Sequence, residues 1–135
     1  MPPARDDISV RDEQFLLRVL RTDWIQIKEG HEQPTSESFT DSNQENSCFI
    51  EGEITLAEIS RLFPDCGRVA RIPVALIRAV GYIIEIRPEP GDAPAGISNP
   101  RAHVVVGPSQ MLGRKEYQRR SRTIVRDEKT TILTP

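Results

Sequence analysis

The sequence IPVALIRAVGYIIEIR, residues 72–87, and the sequence AHVVVG, residues 102–107, are the two most apolar blocks of this chain. The first block predicts a short buried helix over residues 72–80, a stop at Gly81 and a strand over residues 82–87. The second block predicts another strand, over residues 102–106, with one histidine in it. The Pro- and Gly-rich segment 88–100 between the blocks cannot form regular structure and is expected to be a loop.

Three further helices are predicted outside these blocks, over residues 9–21, 55–62 and 109–122. Each segment begins with a residue that favours the N-cap of a helix, namely Ser9, Thr55 and Ser109. The first segment also has apolar residues at helical spacing, namely Phe15, Leu16, Val19 and Leu20. One face of that helix should therefore be buried.

Two more strands are predicted, over residues 24–28 and 48–53. In the first of these strands Ile25 and Ile27 alternate with polar residues, so both are expected to face the core. The segment between the two strands, residues 29–46, is almost entirely polar and is longer than an ordinary hairpin loop. Its one large apolar residue is Phe39, which we expect to hold the loop against the body of the protein.

These elements predict an α+β fold with a small, mostly antiparallel sheet of about four strands packed by about four helices. We expect a flexible N-terminal arm over residues 1–8 and a single α+β domain over residues 9–125. The remaining residues, 126–135, are expected to form either a C-terminal tail or an edge strand.

Composition excludes several classes of protein. The net charge of −2 gives no overall attraction to nucleic acid or to anionic lipid, although the charge is unevenly distributed. The N-terminus lacks the apolar run of a signal peptide, and no stretch approaches the roughly 18 apolar residues of a membrane span. Two cysteines, Cys48 and Cys66, are too few for a disulfide framework. We therefore expect a cytoplasmic protein with no membrane association.

Neither a metal nor a cofactor is predicted. The two histidines, His31 and His103, are far apart in the sequence, and neither is near a cysteine at a metal-binding spacing. The glycines form neither a phosphate-binding loop nor a dinucleotide-binding motif.

Four short stretches together carry a resemblance to a group of proteins. They are WI at 24–25, PTSESF at 34–39, SCFI at 47–50 and NPRAHVVVG at 99–107. This arrangement resembles small, uncharacterised bacterial proteins that have a Trp-Ile strand, a Ser-rich loop containing Phe, and an Ala-His-x-Val-Val-Gly strand. The chain departs from that pattern where the others have an arginine before the loop. The resemblance implies no assigned activity, but it indicates polar residues that could cluster.

Those polar residues, Ser36, Ser38 and His103, are the candidate catalytic residues if the protein is an enzyme. His103 interrupts an apolar strand and could serve as a general base, provided that a carboxylate orients it. The candidate carboxylates are Asp41, Glu51 and Glu85. The alternative is a structural histidine that is hydrogen-bonded to a neighbouring loop. The Gly-x-Ser-x-Gly motif of a nucleophile elbow does not occur in the sequence, which favours a protein without enzymatic activity.

The predicted C-terminal helix carries the strongest binding signal. Its candidate partner-binding residues are Arg114, Lys115, Arg119, Arg120 and Arg122. Such a surface could contact an acidic protein or phosphates, or it could simply be a solvated face. We expect a small binding or accessory protein that acts in a protein complex through this helix. The alternatives are a small enzyme with a site between residues 35–41, Trp24 and His103, and a nucleic-acid-binding accessory protein.

Overall fold

The computed structural model describes residues 3–135. Within that range the chain forms eight strands and three α-helices. The strands are β1 (Phe15–Leu20), β2 (Ile25–Lys28), β3 (His31–Pro34), β4 (Asn46–Ile50), β5 (Arg68–Pro73), β6 (Ile83–Ile86), β7 (His103–Gly107) and β8 (Thr131–Leu133). The helices are α1 (Leu56–Leu62), α2 (Val74–Ala79) and α3 (Arg114–Arg126).

Six of the strands form one sheet in the order β6-β7-β4-β1-β5-β8, and every neighbouring pair in it is antiparallel. The strands β2 and β3 form a separate two-stranded hairpin. The α+β class and the antiparallel character are as predicted. The prediction of about four strands and four helices is wrong.

The largest error concerns residues 9–21, which were predicted to be a helix. Residues 15–20 instead form β1, a central strand that pairs with β4 on one side and β5 on the other. A strand that is covered on both faces is apolar at nearly every position, so its sequence also satisfies helical spacing. Ser9 does not cap a helix, since its hydroxyl group donates a hydrogen bond to Asp7 at 2.6 Å.

Strands were also missed because their sequences are short or polar. The hairpin strand β3 lies inside the predicted loop 29–46, and β5 includes residues 72–73 of the predicted helix 72–80, which begins only at Val74. The prediction that Ile27 faces the core is wrong, because β2 belongs to the outlying hairpin and the Ile27 side chain is 72% exposed. Phe39 is fully buried, as predicted.

Of the predicted helix caps, Thr55 and Gly81 are confirmed, whereas Ser9 and Ser109 are wrong. The side chain of Thr55 accepts a hydrogen bond from the backbone N–H of Glu58 at 3.1 Å and begins α1, as predicted. Gly81 has a φ of +89° directly after α2, the left-handed conformation expected of a helix stop. Ser109 does not cap the last helix, which begins later, after Gly113.

The six-stranded sheet has an apolar cluster on each face. The larger cluster lies beneath α2 and α3 and includes Leu16, Ile77 and Ile124. The smaller cluster lies beneath α1 and includes Leu17 and Phe49. The sheet therefore holds α3 against one face and leaves the outer side of that helix in solvent.

Segments near both ends of the described chain contact the sheet. The predicted flexible arm begins with Met1 and Pro2, which lie outside the described residues. Further along, the side chain of Asp6 accepts a hydrogen bond from the Ile84 backbone at 3.0 Å, and Asp7 donates one to the Ile84 carbonyl at 2.7 Å. At the other end, β8 is an edge strand on β5.

Candidate functional site

The solvent side of α3 presents four cations in one row, which we call the basic face. They are Lys115, Arg119, Arg122 and Arg126, and all four are exposed. At about 100° per residue they fall within an arc of about 60°, and they extend about 16 Å along the helix axis. The opposite side of α3 is buried, through Tyr117, Ser121, Ile124 and Val125. The row therefore follows from an amphipathic helix that packs its apolar stripe on the sheet.

Charge is strongly concentrated in this helix. Residues 114–126 contain six basic residues and one acidic residue, a net charge of +5. Because the whole chain carries −2, the other 122 residues carry −7. The molecule thus combines a cationic helix with an acidic remainder.

Two of the predicted partner-binding residues pair with the single carboxylate of the helix. Glu116 accepts hydrogen bonds from Arg119 and from Arg120, the latter at 2.9 Å. The hydrogen bonds from Arg119 and then from Arg120 lower the pKa of Glu116 to about 2. Arg120 is half-buried and its guanidinium group lies against Gly81, so Arg120 is partly withdrawn from the surface.

Two predicted partner-binding residues lie at the start of α3. Arg114 and Lys115 are exposed and occupy the first turn, where the helix dipole disfavours positive charge. Arg114 also lines a cleft of about 570 Å³ between this turn and the loop that contains Thr40 and Gln44. Met111, which is 58% exposed, lies in the same cleft. An apolar surface therefore adjoins the cationic one.

A buried arginine attaches the long loop to the sheet. Arg18 on β1 is 5% exposed, and its guanidinium group donates hydrogen bonds to the carbonyl groups of Ser38 at 3.0 Å and Ser47 at 2.8 Å. It also pairs with Asp41 at 3.0 Å and lies 5.2 Å from the ring centre of Trp24. Trp24, which was expected to border the alternative enzyme site, is thus half-buried beside an arginine.

The candidate serines of the loop have structural neighbours. The Ser38 hydroxyl group is buried and donates a hydrogen bond to the Thr35 carbonyl at 2.7 Å. Ser36 is half-buried in the same 3-10 turn, which spans Ser36–Phe39. Neither serine is hydrogen-bonded to His103.

His103 is held by two other groups. It is 2% exposed at the start of β7, with Nδ1 at 2.8 Å from the Arg87 carbonyl oxygen and Nε2 at 3.1 Å from the Ser47 hydroxyl group. Burial lowers the pKa of His103 below its ordinary value, which favours the neutral imidazole at neutral pH. The ring also packs against Phe49, with 5.6 Å between ring centres.

The three candidate carboxylates lie beside arginines and not beside this histidine. Asp41 pairs with Arg18, Glu51 forms a two-pronged pair with Arg71, and Glu85 pairs with Arg87. The orienting group on His103 is therefore a backbone carbonyl.

Sequence reasoning missed Ser47 and Arg18. The signal for Arg18 was an arginine inside the apolar run FLLRVL, which indicates a buried cation with partners once the run is recognised as a strand. Ser47 shares a sheet face with His103 because β4 and β7 pair in the register Phe49↔His103, which the sequence does not specify.

Among residues 3–135, no group of three or more metal-binding side chains comes together. In the same part of the chain, no helix has the length and apolar character needed to cross a membrane. Comparison of the chain with family models, curated proteins and solved structures gives no match.

Proposed function

We propose that this protein is a small binding or accessory module that docks onto an acidic surface of a protein partner through the basic face of α3. The observation that carries the proposal is the row of four exposed cations on one side of a helix whose other side is buried. Charge complementarity of this kind steers association and selects partners. Two free thiols suit a reducing compartment, so we propose that the module acts in the cytoplasm.

The row of cations is costly for the isolated helix, which supports a binding role. Lys115 and Arg119, Arg119 and Arg122, and Arg122 and Arg126 are neighbours at spacings of three or four residues. Each pair of like charges destabilises a helix by about 0.2–0.5 kcal/mol, and cations in the first turn oppose the dipole. Local rules of this kind are broken most often where a surface serves a function.

The surroundings of the basic face favour protein over nucleic acid. Every aromatic residue of the chain lies within residues 3–135, and each one is buried or half-buried. No phenylalanine, tyrosine or tryptophan ring is therefore fully exposed as a platform on which an unpaired base could stack. A nucleic acid extends beyond the row as a polyanion and would meet the −7 charge of the remaining residues, whereas an acidic protein patch can be as short as the row. An acidic protein patch about as long as the row fits this surface better.

The test is a pull-down of tagged protein from host extract, carried out with and without nuclease treatment. Bait carrying Arg122→Glu and Arg126→Glu is compared with wild type, because neither residue pairs with Glu116. The matched control reverses two exposed cations elsewhere, Arg5→Glu and Lys28→Glu. We expect a protein that is retained by wild type and by the control and lost with the helix variant. Its direct binding to the purified module should weaken as salt is raised.

Two outcomes would contradict the proposal. Equal capture by the helix variant and wild type would show that the basic face is not the contact. Capture that disappears after nuclease treatment, with a strong salt dependence of binding to duplex DNA or RNA, would assign the face to nucleic acid.

A further inference from the structure

We propose that Ser47 and His103 form a nucleophile–base pair that accepts the acyl group of a carboxylic ester. The pair lies on the sheet face opposite to α3, so this inference does not depend on the binding function proposed above. It replaces the expected participation of Ser36 and Ser38 with a serine on the strand next to His103.

The hydrogen bonds of His103 define its tautomer. A backbone carbonyl oxygen can only accept, so Nδ1 must carry the proton that it donates to Arg87 at 2.8 Å. The neutral ring then has its lone pair on Nε2, 3.1 Å from the Ser47 oxygen. The Ser47 hydroxyl group therefore donates to Nε2, which is the arrangement that activates a serine for attack.

Burial divides the pair into a protected base and an accessible nucleophile. His103 is 2% exposed and packs on Phe49, whereas Ser47 is exposed. The charged groups that act on the imidazole are Asp92, which favours the charged form, and Arg87, which disfavours it. Arg87 is itself paired with Glu45 and Glu85. The base is thus rigid, desolvated and neutral, and the hydroxyl group can be reached from solvent.

The fold explains why the hydroxyl group is accessible. The pairing of β1 with β4 ends at Leu17↔Phe49, so the sheet is open on the β1 side of Ser47. There the Arg18 guanidinium group hydrogen-bonds to the Ser47 carbonyl in place of a strand. An open position of this kind suits a small ester with a good leaving group.

The reaction has two steps, acylation of Ser47 and hydrolysis of the acyl-serine. Ser47 Oγ attacks the ester carbonyl carbon, its proton moves to His103 Nε2, and the bond to the leaving oxygen breaks as that oxygen takes the proton. Water then attacks the acyl-serine, with His103 accepting the proton of the water and returning it to Ser47 Oγ as the acid leaves.

The experiment exposes purified full-length protein to p-nitrophenyl acetate, follows release of p-nitrophenol and maps the acetyl group by mass spectrometry. We expect an acetyl group on Ser47 and about 100-fold slower release by Ser47→Ala, since a positioned base contributes about 10²–10⁴-fold. The matched control is Ser42→Ala, which removes an exposed hydroxyl group from a loop and should leave the rate unchanged. The rate of p-nitrophenol release should rise with pH as His103 becomes neutral. It should reach half of its maximum below pH 6.5, because burial lowers the pKa of His103.

Substitution of the buried histidine can disturb folding, so a second variant keeps the test decisive. Ser47→Cys retains the imidazole and places a thiol where the hydroxyl group of Ser47 lies. Iodoacetamide should alkylate this thiol faster than it alkylates Cys66. Acetylation only at lysines, an unchanged rate in Ser47→Ala, or a thiol at position 47 no more reactive than Cys66 would each overturn the proposal.

Discussion

Replacement of Arg18 by alanine should be the most damaging single change that the structure predicts. The guanidinium group satisfies the buried carbonyl group of Ser38 and the partly exposed carbonyl group of Ser47, and it pairs with Asp41. Each carbonyl group left without a donor costs about 1–3 kcal/mol. The Asp41 side chain is 34% exposed, so water can solvate its carboxylate after the change. The loss of this ion pair therefore adds little to the loss in the free energy of unfolding. We add the lost packing of Arg18 on the rings of Trp24 and Phe39 to the cost of the two carbonyl groups, and we expect a loss of about 3–5 kcal/mol in the free energy of unfolding.

The assay is equilibrium unfolding in urea, followed by tryptophan fluorescence because Trp24 lies 5.2 Å from the arginine. With a slope of about 2 kcal/mol per molar urea, the midpoint should fall by about 2 M. The matched control is Arg21→Ala, which removes another arginine close to Trp24. Arg21 is 63% exposed and pairs with an exposed Asp23, so the loss should stay below about 0.5 kcal/mol.

A conservative variant separates hydrogen bonding from packing. Arg18→Met keeps most of the apolar stem but supplies no donor, so it should recover less than half of the stability that alanine loses. The segment 35–46 should also become sensitive to protease in both Arg18 variants, because Arg18 holds it to the sheet. A loss for Arg18→Ala no larger than that for Arg21→Ala would refute the assignment of Arg18 as the residue that orders the loop.

Three further predictions concern the helices. Gly81→Ala should lower the free energy of unfolding by about 1–2 kcal/mol, because alanine is strained at a φ of +89°. Thermal or urea unfolding measures this loss, and a value below about 0.3 kcal/mol would contradict that conformation. Arg122→Gln combined with Arg126→Gln should change stability by less than about 0.5 kcal/mol, since the relief of repulsion on the basic face is offset by the lost interaction of Arg126 with the negative end of the helix dipole. Any loss above about 1 kcal/mol would show that these side chains stabilise the fold. Glu116 has a folded pKa lowered to about 2 from an ordinary 4.5, so its contribution is complete above pH 4.5 and is lost as the pH falls toward 2. NMR titration of the Glu116 carboxyl group should give that midpoint, Arg119→Ala should raise it, and a wild-type midpoint near 4.5 would refute the pairing.

Much of the local structure could be predicted because it depends on contacts within a few residues. A threonine followed three positions later by glutamate begins α1, and a glycine ends α2, since capping groups act on the backbone beside them. The cationic character of α3 is a matter of composition. The helix spacing of its basic residues also indicates that Lys115, Arg119 and Arg122 share a side, whether or not the exact start of the helix is known.

Other features could not be predicted, because they depend on which strands become neighbours. Residues 15–20 satisfy the pattern of a helix as well as that of a strand, and only pairing with β4 and β5 decides between the two. Once that run is a central strand, Arg18 is buried and must find its partners in the distant loop.

The sequence by itself determined the start of α1 at Thr55, the end of α2 at Gly81 and the cationic character of the last helix, because each results from short-range sterics, hydrogen bonding and periodicity. Only the tertiary structure decided that Ser47, and neither Ser36 nor Ser38, lies beside His103. That contact joins residues 56 positions apart and follows from the register between β4 and β7. A slip of one residue would turn Ser47 to the other face of the sheet, and register is selected by the packing of the whole core.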